Sequence, residues 1–184
     1  MNEVDSLLEY KRLVQEYAKV LDLASPRMLE QFNVGIERSK SFAEHLEPED
    51  RVLDVGSGAG LPGIPLAILR PNIQLTLCEI RVKRAAFLER VVSRIGLRHV
   101  TVYNGDVQKI DGLFNTVTAL WIGDLAKLFR LTRHILEPEW KFVVRKGDEL
   151  ETELEALKRV ANVTWVHVKH LEDGARMATI KGVT

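Results

Sequence analysis

Apolar residues recur at helical spacing in the first stretch of the chain: Leu7, Leu8, Leu13, Val14, Tyr17, Val20 and Leu21, between about Val4 and Leu23. That period predicts an amphipathic helix. Ser25-Pro26 then reads as an N-cap followed by proline in the first helical position. The second helix would bury Met28, Leu29, Phe32, Ile36, Phe42 and Leu46. This helical region, residues 1–46, either caps a substrate site or packs against a sheet edge. After Pro48-Glu49-Asp50 the pattern becomes an alternation of strands and helices. Strands are expected at Arg51–Val55, Gln74–Glu79, Val100–Tyr103, Thr116–Trp121 and Lys141–Arg145, with helices at Ile64–Leu69, Val82–Ile95 and Leu125–Leu136. Such alternation implies a parallel sheet covered on both faces, with right-handed crossovers. A charged helix, about Glu149–Val160, leads into strands Thr164–His170 and Arg176–Ile180, joined at Glu172-Asp173-Gly174. These form an antiparallel hairpin. The expected fold is therefore α/β: residues 47–184 as one compact unit with a mostly parallel seven-stranded sheet, preceded by the helical pair.

Composition narrows the function classes only a little. The 184 residues are 46% hydrophobic and 28% charged, with zero formal net charge and a pI near 7.0. That is the balance of an ordinary globular domain, and no global charge announces a nucleic-acid binder. Local clusters carry that possibility instead. Arg81, Lys83, Arg84, Arg90, Arg94 and Arg98 are opposed within their stretch only by Glu89, and Arg130, Arg133, His134, Lys141, Arg145 and Lys146 form a second group. Each group is either a phosphate-contacting patch or a solvated face. The lone cysteine, Cys78, excludes a disulfide scaffold and a multi-cysteine metal site. His45, His99, His134, His167 and His170 show no metal-ligand spacing, so no metal is expected. The acidic start, Met1-Asn2-Glu3-Val4-Asp5, lacks the basic residues and apolar core of a secretory signal, and no stretch has the length and apolarity of a membrane span. A cytoplasmic protein is expected, with a monomer favoured.

The candidate chemistry lies at Val52-Leu53-Asp54-Val55-Gly56-Ser57-Gly58-Ala59-Gly60-Leu61-Pro62-Gly63, where an apolar run ends in an acid and a glycine-rich turn opens a helix. Glycines permit positive φ and close backbone approach, so the turn suits a nucleotide-like ligand. Dinucleotide enzymes seat a pyrophosphate here, but Leu61 occupies the third glycine position and Asp54 would repel phosphate. A ligand with a cationic end suits Asp54 better, and S-adenosylmethionine is such a cofactor. The plainer alternative has Asp54 capping backbone groups of a tight turn. Two further acids end the next strands: Glu79, about twenty residues past the glycines, where ribose hydroxyls are usually accepted, and Asp106 in Asn104-Gly105-Asp106-Val107, within reach of an adenine amine. Three acids on consecutive strand ends, with the glycine loop, point to a nucleoside cofactor held by Asp54, Gly56, Ser57, Gly58, Gly60, Glu79 and Asp106.

These residues also carry a family resemblance. Leu53 to Ala67, and above all Leu61-Pro62-Gly63-Ile64-Pro65, resembles the glycine motif of the bacterial small-subunit rRNA guanine-N7 methyltransferases, the RsmG (GidB) family. Lys83-Arg84, Phe87-Leu88, Lys146-Gly147, and Gly174 with Arg176 match in order, so the resemblance covers about Arg51 to Lys181. It implies a class I, Rossmann-like methyltransferase fold, S-adenosylmethionine as cofactor, and the small ribosomal subunit or its rRNA as partner. It also implies cofactor contacts at Gly56 and Leu61, with Val107 and Gln108 against the adenine through their backbone. Arg84, Lys146 and Arg176 are the candidate RNA contacts. Guanine N7 carries an exposed lone pair, so positioning and electrostatics matter more than a general base, and no catalytic side chain is assigned.

Departures from the family pattern lie on the substrate side. Ala119-Leu120-Trp121 stands where the family carries Ser-Arg-Ala, Asp22-Leu23-Ala24 where it carries Asn-Leu-Thr, and Gly35-Ile36-Glu37-Arg38-Ser39 retains only Ile36 and Ser39 of a family motif. Leucine cannot replace an arginine fork. The chain is thus either a divergent member with the same RNA target, or a paralogue with an altered substrate or a silent binding role.

Overall fold

A computed structural model describes residues 1–21, 32–120 and 123–184. The elements are α1 (Glu3–Leu21), α2 (Phe32–Ala43), β1 (Arg51–Val55), α3 (Gly63–Leu69), β2 (Gln74–Glu79), α4 (Val82–Ile95), β3 (Val100–Asn104), β4 (Phe114–Ala119), α5 (Leu125–Thr132), β5 (Leu136–Lys146), α6 (Leu150–Lys158), β6 (Asn162–His170) and β7 (Arg176–Val183). Single 3-10 turns lie at Val107–Lys109 and Arg133–Ile135. The strands form one seven-stranded sheet in the order β3-β2-β1-β4-β5-β7-β6. β1 to β5 pair in parallel, and β7 runs antiparallel to both β5 and β6. The expected parallel sheet with an antiparallel terminal hairpin is the observed one.

Each face of the sheet buries its own apolar cluster. One is covered by α1 to α4 through Tyr10, Leu13, Phe32, Phe42, Ile64, Phe87 and Leu88, against Leu75, Leu77, Val143 and Met177. The other is covered by α5 and α6 against Leu53, Val117, Phe142, Ala178 and Ile180. Helix α4 shows how sequence sets these bounds. Ala85, Phe87, Leu88, Val91 and Ile95 fall on one buried face, and Gly96, at φ 81°, ends the helix with its N–H on the Val92 carbonyl.

Several boundaries differ from expectation. The helix expected over Leu125–Leu136 ends at Thr132, because Leu136 pairs with Phe114 and so opens β5. β5 is correspondingly longer than Lys141–Arg145, and β4 spans Phe114–Ala119 rather than Thr116–Trp121. β7 runs on to Val183, and its Gly182 is required there, since a side chain would collide with the ring of buried Trp140. Of the second helix's expected core, Phe32, Ile36 and Phe42 are buried in α2 and Leu46 beyond it. Ser25-Pro26, Met28, Leu29, the Asp22-Leu23-Ala24 segment and Trp121 lie outside the described residues.

Candidate functional site

The carboxyl ends of β1, β2 and β3 lie side by side, so the backbone alone brings the three acids to one edge of the sheet. The glycine loop is stitched to the end of β2. The N–H groups of Gly56 and Ser57 both donate to the Cys78 carbonyl, at 2.9 and 3.1 Å. Gly56, Gly58 and Gly60 have φ of 75°, 59° and 102°, a region closed to most side chains. They do different things. A Cβ at Gly56 would meet nothing within 4 Å, so that side of the loop is open. At Gly60 it would meet Ile64, the Tyr10 hydroxyl and Leu88 at 2.6 to 3.2 Å, which makes Gly60 a packing requirement beneath α1. Leu61 likewise buries its side chain in the core, under Gly35 of α2, leaving any ligand contact there to its backbone.

Glu79 ends β2 with its carboxylate nearly buried. It accepts from the Gly58 N–H at 2.9 Å and from the Arg81 N–H at 2.8 Å. One acid thus braces the glycine loop against the turn leading into α4, with lone pairs left over for hydroxyl donors. That turn is also tied to the end of β3. Asn104 donates to the carbonyls of Glu79 and Ile80, and Gly105 N–H donates to Glu79. Asp106 accepts from the Gln108 N–H at 3.0 Å, fixing the 3-10 turn that carries the buried Val107 and the exposed Gln108.

Asp54 differs from the other two acids. It is 1% exposed and lies beneath the loop, where its Oδ1 accepts from the Thr118 hydroxyl at 3.2 Å. Its Oδ2 makes no well-formed hydrogen bond among the described residues; it faces Gly63, whose amide is a nearby donor and where an added Cβ would sit 2.7 Å from it. Burial pushes the Asp54 carboxyl up to about 6, against the opposing pull of Ser57, Thr118 and the nearby Gly63 amide. The result is a buried carboxylate with unspent acceptor capacity next to the start of α3. Cys78, raised to about 12 by burial, is held as a neutral thiol beside it.

The candidate RNA contacts sit differently from what their position in sequence suggests. Lys146 is half-buried in an ion pair with Glu153 at 2.8 Å, and Glu153 also accepts from the Leu125 N–H at the start of α5. Arg176 pairs with Glu151 and donates to the Gly147 carbonyl. Both therefore brace the β5–α6 junction. Arg84 is half-buried on the first turn of α4. Leu120, where the family carries arginine, packs partly buried against the α1–α4 cluster.

Sequence reasoning missed two contributors. Tyr10, fully buried on α1, donates to the Ala59 carbonyl at 2.8 Å and so clamps the glycine loop from the N-terminal helix. Ile80, directly after the bracing acid, is 64% exposed at the rim. An apolar residue just past a strand-end acid is a signal for the second. Nothing local marks the first.

The family model described as "rRNA small subunit methyltransferase G" (GidB) matches residues 3–179. The chain belongs to that family. Among family members, the ribosomal RNA small subunit methyltransferase G of Leptothrix cholodnii is 33% identical over 178 residues, covering 92% of this chain and 80% of the relative. That of Mycobacterium sp. (strain KMS) is 36% identical over 176 residues, covering 89% and 78%. The fold is shared with a SAM dependent methyltransferase from Aquifex aeolicus, at TM-score 0.66 and 17% identity over 90% of this chain and 98% of that one. It is also shared with the precorrin-6y C5,15-methyltransferase of Geobacter metallireducens, at TM-score 0.58 and 15% identity over 80% and 88%. The class I methyltransferase architecture expected from the glycine motif is the one observed.

Proposed function

We propose that this protein methylates guanine N7 in small-subunit rRNA, using S-adenosylmethionine, in the cytoplasm and as a monomer. The observation that carries the cofactor is the Oδ2 of buried Asp54, without a well-formed hydrogen bond among the described residues, beneath an open glycine loop, with Glu79 and Asp106 on the next two strand ends. Such a set fits a ligand with a cationic end, ribose hydroxyls and a purine. When bound, S-adenosylmethionine supplies a methyl group on a cationic sulfur. Asp54 supplies negative potential from below the loop, the backbone of Gly56, Ser57 and Gly58 forms the cradle, and Glu79 takes the ribose hydroxyls. Asp106, Val107 and Gln108 line the purine, with exposed Ile80 available to cover one of its faces. The acceptor N7 needs no proton removed, so the chain's task is to orient the base and exclude water.

The rRNA target comes from family membership. The relatives are named for the small-subunit rRNA, and N7 follows from the motif resemblance. The decisive experiment incubates the full chain with methyl-labelled cofactor and either small ribosomal subunits or their purified rRNA. Modified positions are then mapped by the strand scission to which N7-methylguanine is prone. Label in rRNA at such a position is the expected result. Cofactor binding without label in either substrate would favour the second reading, a paralogue with another substrate or a silent module. Leu120, packed in apolar surroundings at the family's arginine position, is what speaks for it.

A further inference from the structure

The terminal hairpin carries an aromatic row that the cofactor site does not use. On β6, Val166 and Val168 turn to the cluster under α5 and α6, so the alternate residues Trp165, His167 and Lys169 face the opposite side, all exposed. A register shift between Val163 and Trp165 sets Trp165 at the start of this row. The rings of Trp165 and His167 stack, with centroids 5.7 Å apart and planes 13° from parallel, and the half-buried His45 ring lies 6.5 Å from His167, tilted by 41°. Lys181, paired across the sheet with Trp165, holds its ammonium 5.2 Å from the indole centroid. Lys169, at the far end of the row, makes an exposed ion pair with Glu44. Trp165 remains 47% exposed. A core Trp needs no lysine over its ring, and an isolated surface Trp has no stacked neighbour.

We propose that this ledge is a base-stacking platform for single-stranded rRNA, a docking surface separate from the methyl-transfer pocket. Stacked rings beside ammonium groups are the chemistry that holds unpaired bases and their phosphates. The surface also runs in a useful direction. β6 ends at His170, paired with Arg176 at the carboxyl edge of the sheet, where the ligand site opens. Four strand spacings, roughly 19 Å, separate β6 from β1, the nearest of the strands whose ends carry the three acids. A strand bound along the row therefore leads toward the pocket. A two-fold contact would set this ledge, with Lys181 over its indole, against a second copy of the same cation-bearing surface rather than a complementary one.

The inference rests on the reading of the chain as an rRNA methyltransferase. It is tested with Trp165→Ala, Trp165→Phe and Lys181→Gln in the full chain, against a fluorescently labelled single-stranded segment of small-subunit rRNA. Trp165→Ala should weaken RNA binding about tenfold or more and raise KM for RNA with it. Trp165→Phe should restore most of the loss, and Lys181→Gln should lower the salt dependence of binding. Thermal midpoint and cofactor affinity of each variant should match the wild type. Equal RNA affinity for Trp165→Ala and wild type, with methylation intact in the wild type, would overturn the platform alone. A wild type that neither binds nor methylates rRNA would overturn both readings. Loss of self-association in Trp165→Ala, at unchanged RNA affinity, would assign the ledge to a second copy and reject the proposal.

Discussion

At the scale of single residues, Asp54 gives the sharpest expectation. Its folded-state value, about 6, lies above the ordinary 3.8. The native chain therefore holds that proton more tightly than the unfolded chain between those limits. Stability falls as pH rises from about 4 to about 6, by about 3 kcal/mol at most, and is flat above. Below pH 6 the group is neutral and has nothing to offer a cation. Above it, a charged carboxylate is buried with one oxygen lacking a well-formed hydrogen bond, and a cationic ligand relieves that cost. S-adenosylmethionine should therefore bind more weakly as pH drops below about 6, and Asp54→Asn should bind weakly with a flattened pH profile. Calorimetric titration between about pH 5 and pH 8 measures both. An affinity independent of pH in the wild type would remove Asp54 from the ligand's electrostatics. Sequence suggests an acid suited to a cation. It does not show that the acid lies under the loop, facing α3, with one oxygen bonded to Thr118 and the other left over.

At the scale of elements, legibility follows punctuation. The bounds of β1, β2 and α4 can be read from sequence because an acid, a glycine run or Gly96 marks their ends. The limits of β4, α5 and β5 differ from expectation because Leu120-Trp121 prolongs one apolar run, and Ile135-Leu136 continues a helical period into a strand. Long-range contacts have no signature. Tyr10 falls outside the apolar positions read for the leading helix, yet its hydroxyl closes a bond to Ala59 across 49 residues. Burial, with Asp54 adding, holds that phenol well above its ordinary range, so it stays a neutral donor. Lys146 and Arg176 read as exposed cations, and only the fold supplies Glu153 and Glu151 to pair with them. Tyr10→Phe should cost about 1–3 kcal/mol in urea unfolding, because it strands a buried carbonyl. It should also weaken cofactor binding, since that carbonyl belongs to the glycine loop. A stability loss with unchanged cofactor affinity would show that α1 supports the core but not the loop's conformation.

At the scale of the whole molecule, the issue is whether the leading helices are an appendage or part of the methyltransferase unit. The helical region and residues 47–184 are separable in sequence because their hydrophobic patterns differ, one purely helical and one alternating between strand and helix. In the structure that boundary does not coincide with a boundary in the core. Tyr10, Leu13 and Val14 of α1 are buried in the same cluster as Leu61, Ile64, Phe87 and Leu88, which lie under the glycine loop and along α4. Outside that cluster, Glu9 bridges Arg12 on its own helix and Arg94 of α4, and these two guanidinium groups hold the Glu9 carboxyl down to about 2. This exposed pairing adds little; the apolar face is what counts. Burying a large apolar side chain is worth about 1.5–3 kcal/mol, while a whole domain is stable by about 5–15 kcal/mol. Losing three such residues, and uncovering their partners, removes a large part of that margin. A chain lacking residues 1–21 should therefore lose its cooperative urea transition and its cofactor binding together. If it instead unfolded in one transition and bound S-adenosylmethionine as the full chain does, the helical region would be a separable cap, and the glycine loop would hold its shape without Tyr10.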